Sequence, residues 1–313
     1  MQQWIERLRA GDPRALSRAI STVENRAPEW SELLKALFPH TGRARIIGLT
    51  GAPGSGKSTL VDQLARHYRK DDRTIGIIAV DPTSPYTGGA ILGDRIRMQD
   101  HFSDPGIYIR SMATRGSLGG LARTTADVAT VLDASGRDMI LIETVGVGQD
   151  EIDIVRLADI TIVILVPGMG DDVQTIKAGI MEIADIFVIN KSDREGAERV
   201  EREIRALQSL ATRSDNWTPP IVKSVATDGT GVKELAAAIA QYEGYLQKEN
   251  LVLKRTIQNW QERIIEMLRE ALLDKAREQL GDGQVTRYAA EVAQHKRDPY
   301  TLVEEIVSKL GQN

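Results

Sequence analysis

Gly51-Ala52-Pro53-Gly54-Ser55-Gly56-Lys57-Ser58, with Ile46–Thr50 before it and Lys57–Tyr68 after it, is the stretch on which the reading of this chain turns. All its defined positions match GxxxxGK[ST], and it joins an apolar β-rich run to a helical pattern, the context that a phosphate-binding loop requires. Glycine permits backbone conformations in which successive N–H groups point inward, and the helix N-terminus adds its positive dipole end. Gly51, Pro53, Gly54, Ser55, Gly56 and Thr59 are therefore expected to line a nucleotide's phosphates. Lys57 is expected to bridge the β- and γ-phosphates, and the Ser58 hydroxyl to ligate Mg²⁺.

Outward from the loop, further short apolar runs alternate with helical patterns. The runs are Ile75–Val80, Ile107–Ile109, Met139–Ile142, Ile160–Val166, Ile186–Ile189 and Ile221–Val222; the helical patterns include Thr124–Asp133, Val173–Ile183 and Val200–Leu210. Runs that are apolar throughout, instead of alternating, suit parallel strands covered on both faces. The expected fold is α/β, a doubly wound, mostly parallel sheet forming a P-loop G domain, with helical segments before and after it. Residues 1–42 read as an N-terminal helical segment, with stripes at Trp4, Ile5, Leu8 and at Leu33, Leu34, Leu37. Residues 43–245 read as the GTPase domain, and 246–313 as a C-terminal helical segment. In that last segment Leu253, Ile257, Trp260, Ile264, Met267 and Ala271 recur at helical spacing. Such a stripe suits packing on the chain's own domain or a seam with a second subunit. Gly281-Asp282-Gly283 is expected to break the helix, and Tyr300–Leu310 to form a short final one.

Asn190-Lys191-Ser192-Asp193 follows the run Ile186–Ile189 and has the NKxD pattern. Guanine offers N1–H and its N2 amino group side by side, and the Asp193 carboxylate can accept from both. Adenine lacks that pair, so an Asp193 buried against it would be left unmatched, and guanine is favoured. Glu143 ends the run Met139–Ile142, where a carboxylate can hold Mg²⁺ directly or through water. Gly146 can offer its N–H to a γ-phosphate. Val147 stands where Ras-like proteins carry the glutamine that orients the attacking water, so slow intrinsic hydrolysis is expected, with Gln149 a candidate substitute. Asp81 and Asp94 bracket a Pro/Gly/Ser/Thr-rich stretch, 82–89, and together are candidates for the metal's ligands or their surroundings.

The 313 residues carry a net charge of −4 and no cysteine. Disulfides, thiolate metal sites and cysteine nucleophiles are excluded, and nothing in the charge balance suggests nucleic acid. The longest apolar stretch, Ile160–Pro167, is far shorter than the roughly 20 residues a membrane helix needs. A cytoplasmic protein with no membrane partner is expected. A nickel-insertion GTPase would want a Cys/His site, and the four histidines, His40, His67, His101 and His295, are not clustered in sequence.

Taken together, Gly51–Thr59, Val80-Asp81-Pro82, Gly88-Gly89, Ile91–Asp94, Arg97-Met98, Glu143–Gln149 (ETVGVGQ), Pro167-Gly168, Gly170-Asp171, Gln174, Ile176-Lys177, Asn190-Lys191, Asp193 and Trp217–Pro220 resemble the MeaB/ArgK-type P-loop GTPases. These are relatives of the human methylmalonic aciduria type A protein. The resemblance spans roughly 46–231 and implies a GTP-hydrolysing chaperone that gates adenosylcobalamin delivery to an acyl-CoA mutase of the methylmalonyl-CoA mutase type, and protects that enzyme. It further implies a homodimer joined through C-terminal helices, with Asp81, Asp94 and Glu143 as metal-site acids alongside Ser58. Arg97 would be a first-switch arginine. Asp171, Gln174 and Lys177 would form a third switch that contacts the mutase, and Lys177 could contribute to stimulated hydrolysis beside Lys57 and Glu143. Such sequences have also been labelled kinases of arginine/ornithine transport, and a nucleotide-gated binding module with negligible turnover is a third reading. One departure is Val225-Ala226, with Ser224 one place earlier, where the family often has Ser-Ala; the Ala226 N–H is still expected to reach guanine O6.

Overall fold

The computed structural model describes residues 1–81, 104–113, 120–144, 157–168, 183–210, 213 and 215–310. They fall into two compact units, Met1–Arg255 and Thr256–Asn313.

The first unit is built on a seven-stranded sheet. Its strands are β1 (Arg45–Gly51), β2 (Ile75–Asp81), β3 (Ile107–Ala113), β4 (Met139–Glu143), β5 (Ile160–Leu165), β6 (Ile186–Asn190) and β7 (Ile221–Ser224). They lie in the order β3-β2-β4-β1-β5-β6-β7, and all six pairings are parallel. Successive residues point to opposite faces, and both faces are apolar. Ile47, Leu49, Leu141, Ile162 and Val188 turn toward α4 (Lys57–Arg69) and α7 (Val232–Lys248), where Leu60, Leu64, Leu235 and Tyr242 complete one core. Ile78, Val80, Ile140 and Ile142 turn the other way, toward α5 (Gly120–Ala134). On that same side Phe187 and Ile189 meet α6 (Ala197–Leu210).

The N-terminal helices share the α5 core. They are α1 (Gln2–Arg9), α2 (Pro13–Glu24) and α3 (Trp30–Leu37). Besides the two expected stripes, a third one on α2, through Leu16, Ile20 and Val23, is buried. Asp12 caps α2 by accepting from the Arg14 and Ala15 N–H groups, and Pro13 at the first helical position leaves no unmet donor there. The connection into β1 is pinned by Asp133, which accepts from the N–H groups of Arg43 and Ala44 at 3.1 and 2.9 Å. β3 runs four residues past the expected Ile109 because α2 covers it: Arg110, which interrupts the apolar run, is ion-paired with Glu24.

At the end of the sheet opposite the phosphate loop, Asp185 sits just ahead of β6 and is fully buried. Its carboxylate accepts from the Thr161 N–H at 2.9 Å, from both terminal nitrogens of Arg255 at 3.1 and 2.6 Å, and from Arg213 at 3.2 Å. Burial pushes the carboxyl above the ordinary carboxylate range, against the pull of Arg255, Thr161 and Arg213. Arg213 also forks onto Asp215. The Trp217 indole donates to the Asp185 carbonyl at 2.9 Å and packs on Tyr242 and Tyr245, each 4.9 Å away. The Trp-Thr-Pro-Pro stretch is thus part of the anchor at the start of β6.

Helix α8 (Leu251–Ala293) begins in the first unit. Arg255 on its first turns is the residue held by Asp185. In the second unit Gly281 has φ 65° and ψ 158°, which kinks the helix where the glycines predicted a break. Beyond the kink, Tyr288 is buried, accepts from Gln284 at 2.8 Å and has the Arg287 and Arg297 guanidiniums over its ring at 5.6 and 5.5 Å. Helix α9 spans Pro299–Leu310. On α8 the helical stripe is open: Leu253 is 69% exposed, Ile257 48% and Ile264 57%. Among the described residues no helix is long and apolar enough to cross a membrane.

Candidate nucleotide site

Parallel strands deliver their last residues to one edge of a sheet, and ligands bind there, where the strand order reverses. Gly51 ends β1, Glu143 ends β4, Asn190 ends β6 and Ser224 ends β7, with β1 between β4 and β5. Register brings the pieces level: Leu49 pairs with Glu143, and Asn190 with Ser224.

The loop leaves β1 through a tight passage. A Cβ on Gly51 would stand 2.3 Å from the Ile164 carbonyl oxygen, and one on Gly56, at φ +90°, 2.3 Å from Asn190 Nδ2. Alanine at Gly56 would therefore meet both backbone strain and a clash. Behind the loop, Lys57 is buried and donates to the carbonyls of Gly51 and Ala52 at 2.7 and 3.1 Å. The loop thereby positions its own lysine under the cradle. The Ser55 hydroxyl is fully buried without a hydrogen-bond partner among the described residues, an orphaned polar atom inside the loop. Thr59 follows on the first turn of α4 and is half-buried.

Ser58 Oγ donates to Glu143 Oε1 at 2.6 Å, across 85 residues of chain. Hard oxygen donors of this kind suit Mg²⁺, and the fold brings the two side chains together, so the chemistry of Ser58 and Glu143 fits the metal. Among the described residues no group of three or more acidic or histidine side chains forms a protein-only metal cage.

Asn190 ties the base motif to the phosphate loop. Its Nδ2 donates to the Ser55 carbonyl at 2.8 Å, while Oδ1 accepts from the Ala226 N–H at 3.0 Å and the Ser224 hydroxyl at 3.2 Å. Lys191, at a positive φ of 55°, reaches back to the Gly54 carbonyl at 2.8 Å. So one asparagine joins three elements, and all three named atoms at its amide are buried or nearly so. Ser224, which the sequence marked only as a displaced serine, supplies one of those bonds. Ala226 N–H is turned to Asn190, so any role in reading guanine O6 would compete with this latch. Asp193 is exposed, so the chain's own packing does not desolvate its carboxylate.

Asp81 closes β2 at the same edge, paired with Ala113. Its side chain, and Asp94, Arg97, Gly146, Val147, Gln149, Asp171, Gln174 and Lys177, lie outside the described residues.

Residues 16–280 match the family described as methylmalonyl Co-A mutase-associated GTPase MeaB. A protein of Pyrococcus abyssi that carries a GTPase name is 47% identical over 313 residues, which span 99% of this chain and 97% of that one. The methylmalonic aciduria type A homolog of Mus musculus, named as mitochondrial, is 34% identical over 284 residues, 82% of this chain and 68% of that one. A solved structure titled LAO/AO transport system kinase superposes with a TM-score of 0.75 at 25% identity, covering 100% of this chain and 97% of that one.

Proposed function

This chain belongs to the MeaB family of GTPases, and from that premise we propose that it hydrolyses GTP as a switch gating adenosylcobalamin loading and protection of a methylmalonyl-CoA-type mutase. The observation that carries the nucleotide half is the Asn190 latch, which holds the base motif against the Ser55 carbonyl of the phosphate loop. The mutase half is supported by the family's name and by the relative named for methylmalonic aciduria.

In this reading Gly51–Thr59 and Gly146 receive the phosphates, and Asn190, Lys191, Asp193 and Ala226 receive guanine. Lys57 and the loop amides meet charge that develops on the γ-phosphoryl oxygens as water attacks in line. Mg²⁺ held by Ser58 and Glu143, with Asp81 and Asp94 around it, would neutralise part of that charge. Val147 leaves no glutamine to orient water, so turnover is slow until a partner reorders Arg97, Gln149, Asp171, Gln174 and Lys177. Homodimerisation through the open stripe on α8, and a cytoplasmic site of action, belong to the same proposal.

The test is a pull-down with GTP-loaded protein, followed by GTPase assay with the mutase recovered and by light scattering for the assembly's mass. Stimulation of the slow basal rate by a mutase is the expected outcome. Fast turnover by the purified chain, or a mutase that binds GTP- and GDP-loaded forms alike without effect on either rate, overturns the switch. Incubation with γ-labelled GTP and a transport-protein acceptor separates this reading from a kinase, since only a kinase leaves label on the acceptor.

Asp193→Asn should cut the preference for GTP over ATP. Replacing one carboxylate oxygen by an amide turns an acceptor into a donor facing guanine's own donors, a loss of about 10²-fold or more in selectivity at hydrogen-bond energies of about 1.5–3 kcal/mol each. Competition binding with GDP and ADP measures it; an unchanged ratio removes Asp193 from base recognition.

A further inference from the structure

The first two helices line a half-open cavity, formed by residues well removed in sequence from the phosphate loop. It has a volume of about 470 Å³ and is lined by Trp4, Arg7, Arg14 and Arg18, with Met1, Gln3 and Ala15. Three arginines line this groove, and no acidic residue is among its lining residues. In a chain of net charge −4 that is a local reversal of sign.

The three arginines are held differently. Arg7 is committed to Asp12 through Nε and one terminal nitrogen, at 2.9 and 2.6 Å. Arg18 lies over the Trp4 ring at 4.7 Å, and the ring itself is fixed by its Nε1–H to the Ala15 carbonyl at 3.0 Å. Arg14 stands one turn before Arg18 on the exposed face of α2. Like charges at this i,i+4 spacing repel and lower helix stability. Among the described residues neither Arg14 nor Arg18 has an acidic partner to offset that repulsion.

We propose that this groove is an anion site for a small molecule carrying two or more phosphate groups, bound independently of the nucleotide in the phosphate loop. Guanidiniums present planar N–H forks that match phosphate oxygens. A half-enclosed cavity of this size is on the scale of one small-molecule ligand. Trp4 pre-positions Arg18, so less side-chain freedom is lost when the ligand arrives. A phosphate seated between Arg14 and Arg18 also relieves the repulsion that the free helix carries.

The experiment titrates inorganic triphosphate, in metal-free buffer, into the full chain whose phosphate loop is saturated with GDP, and reads the heat of binding. One further site per chain is expected, weakened about 100-fold or more in Arg14→Ala/Arg18→Ala, the loss of two charged hydrogen-bonding groups. Both residues lie outside the phosphate loop and its partners, so the GDP affinity of the double variant should stay unchanged. That separates this site from the nucleotide site, whose failure would appear as lost GDP binding. The proposal is overturned by no heat beyond the GDP site or by equal binding in the double variant. It is equally overturned if sulfate at the same ionic strength occupies the groove as well as triphosphate does, which would mark an adventitious ion only.

Discussion

Replacing Lys57 by alanine is expected to abolish measurable GTP hydrolysis and to remove most of the affinity that depends on the β- and γ-phosphates. Loss of one preorganised donor to developing transition-state charge costs about 10²–10³ in kcat. Here the basal rate is already expected to be slow, so the remainder should fall below detection. The ammonium now donates to the Gly51 and Ala52 carbonyls, so it is held by the loop within reach of the phosphates. Because the side chain is buried, a stability effect has to be separated from a chemical one. Melting curves with and without GDP do this: the variant's ligand-free melting point should shift little, whereas the increment that GDP adds should shrink. Single-turnover hydrolysis equal to that of the unmodified chain would end the assignment of the loop.

The largest effect on stability is expected far from that site. Asp185→Ala should lower the unfolding free energy by about 3–5 kcal/mol, the cost of leaving buried charge uncompensated. Arg255 and Arg213 are only 24% and 16% exposed at their side chains, and the carboxylate they share is fully buried. Its removal would also orphan the N–H of Thr161, the second residue of β5. The raised carboxyl pKa says that burial already works against the charge, so the intact network contributes far less than its rupture costs. A double-mutant cycle makes this concrete. Asp185→Ala/Arg255→Met, which removes both charges, should be more stable than Asp185→Ala alone in urea unfolding. If the two losses simply add, the buried ion pair is not what holds the first turns of α8 to β6.

These two sites differ in how far the sequence displays them. The phosphate loop is local: eight consecutive residues carry its glycines, its lysine and its serine, and the helix that follows is written in the next dozen. Strands β1, β2, β4, β5 and β6 were legible for the same reason, since a strand covered on both faces is a continuous apolar run. β3 was read short because Arg110 interrupts such a run, and its ion pair with Glu24 on α2 appears only in the folded chain. The stripe on α8 was legible as helical, but its spacing was equally consistent with a face packed on the chain or one open to a partner. Exposures of 69% at Leu253 and 57% at Ile264 show which faces are left uncovered in the single chain.

The base motif shows the division most clearly. From sequence, Asn190 was one polar residue of four at a strand's end, and Ser224 a serine one place out of register. Folded, the two meet across neighbouring strands, and Asn190 reaches 135 residues back to Ser55, where only a glycine at position 56 leaves it room. The sequence by itself determined the chemistry that can be performed at the sheet edge, because residue type sets charge, hydrogen-bonding capacity and backbone freedom. Only the tertiary structure decided which of those groups meet. Parallel pairing brings the ends of strands distant in sequence to one line, and neither Ser58 with Glu143 nor Asp185 with Arg255 has any local signal of its partner.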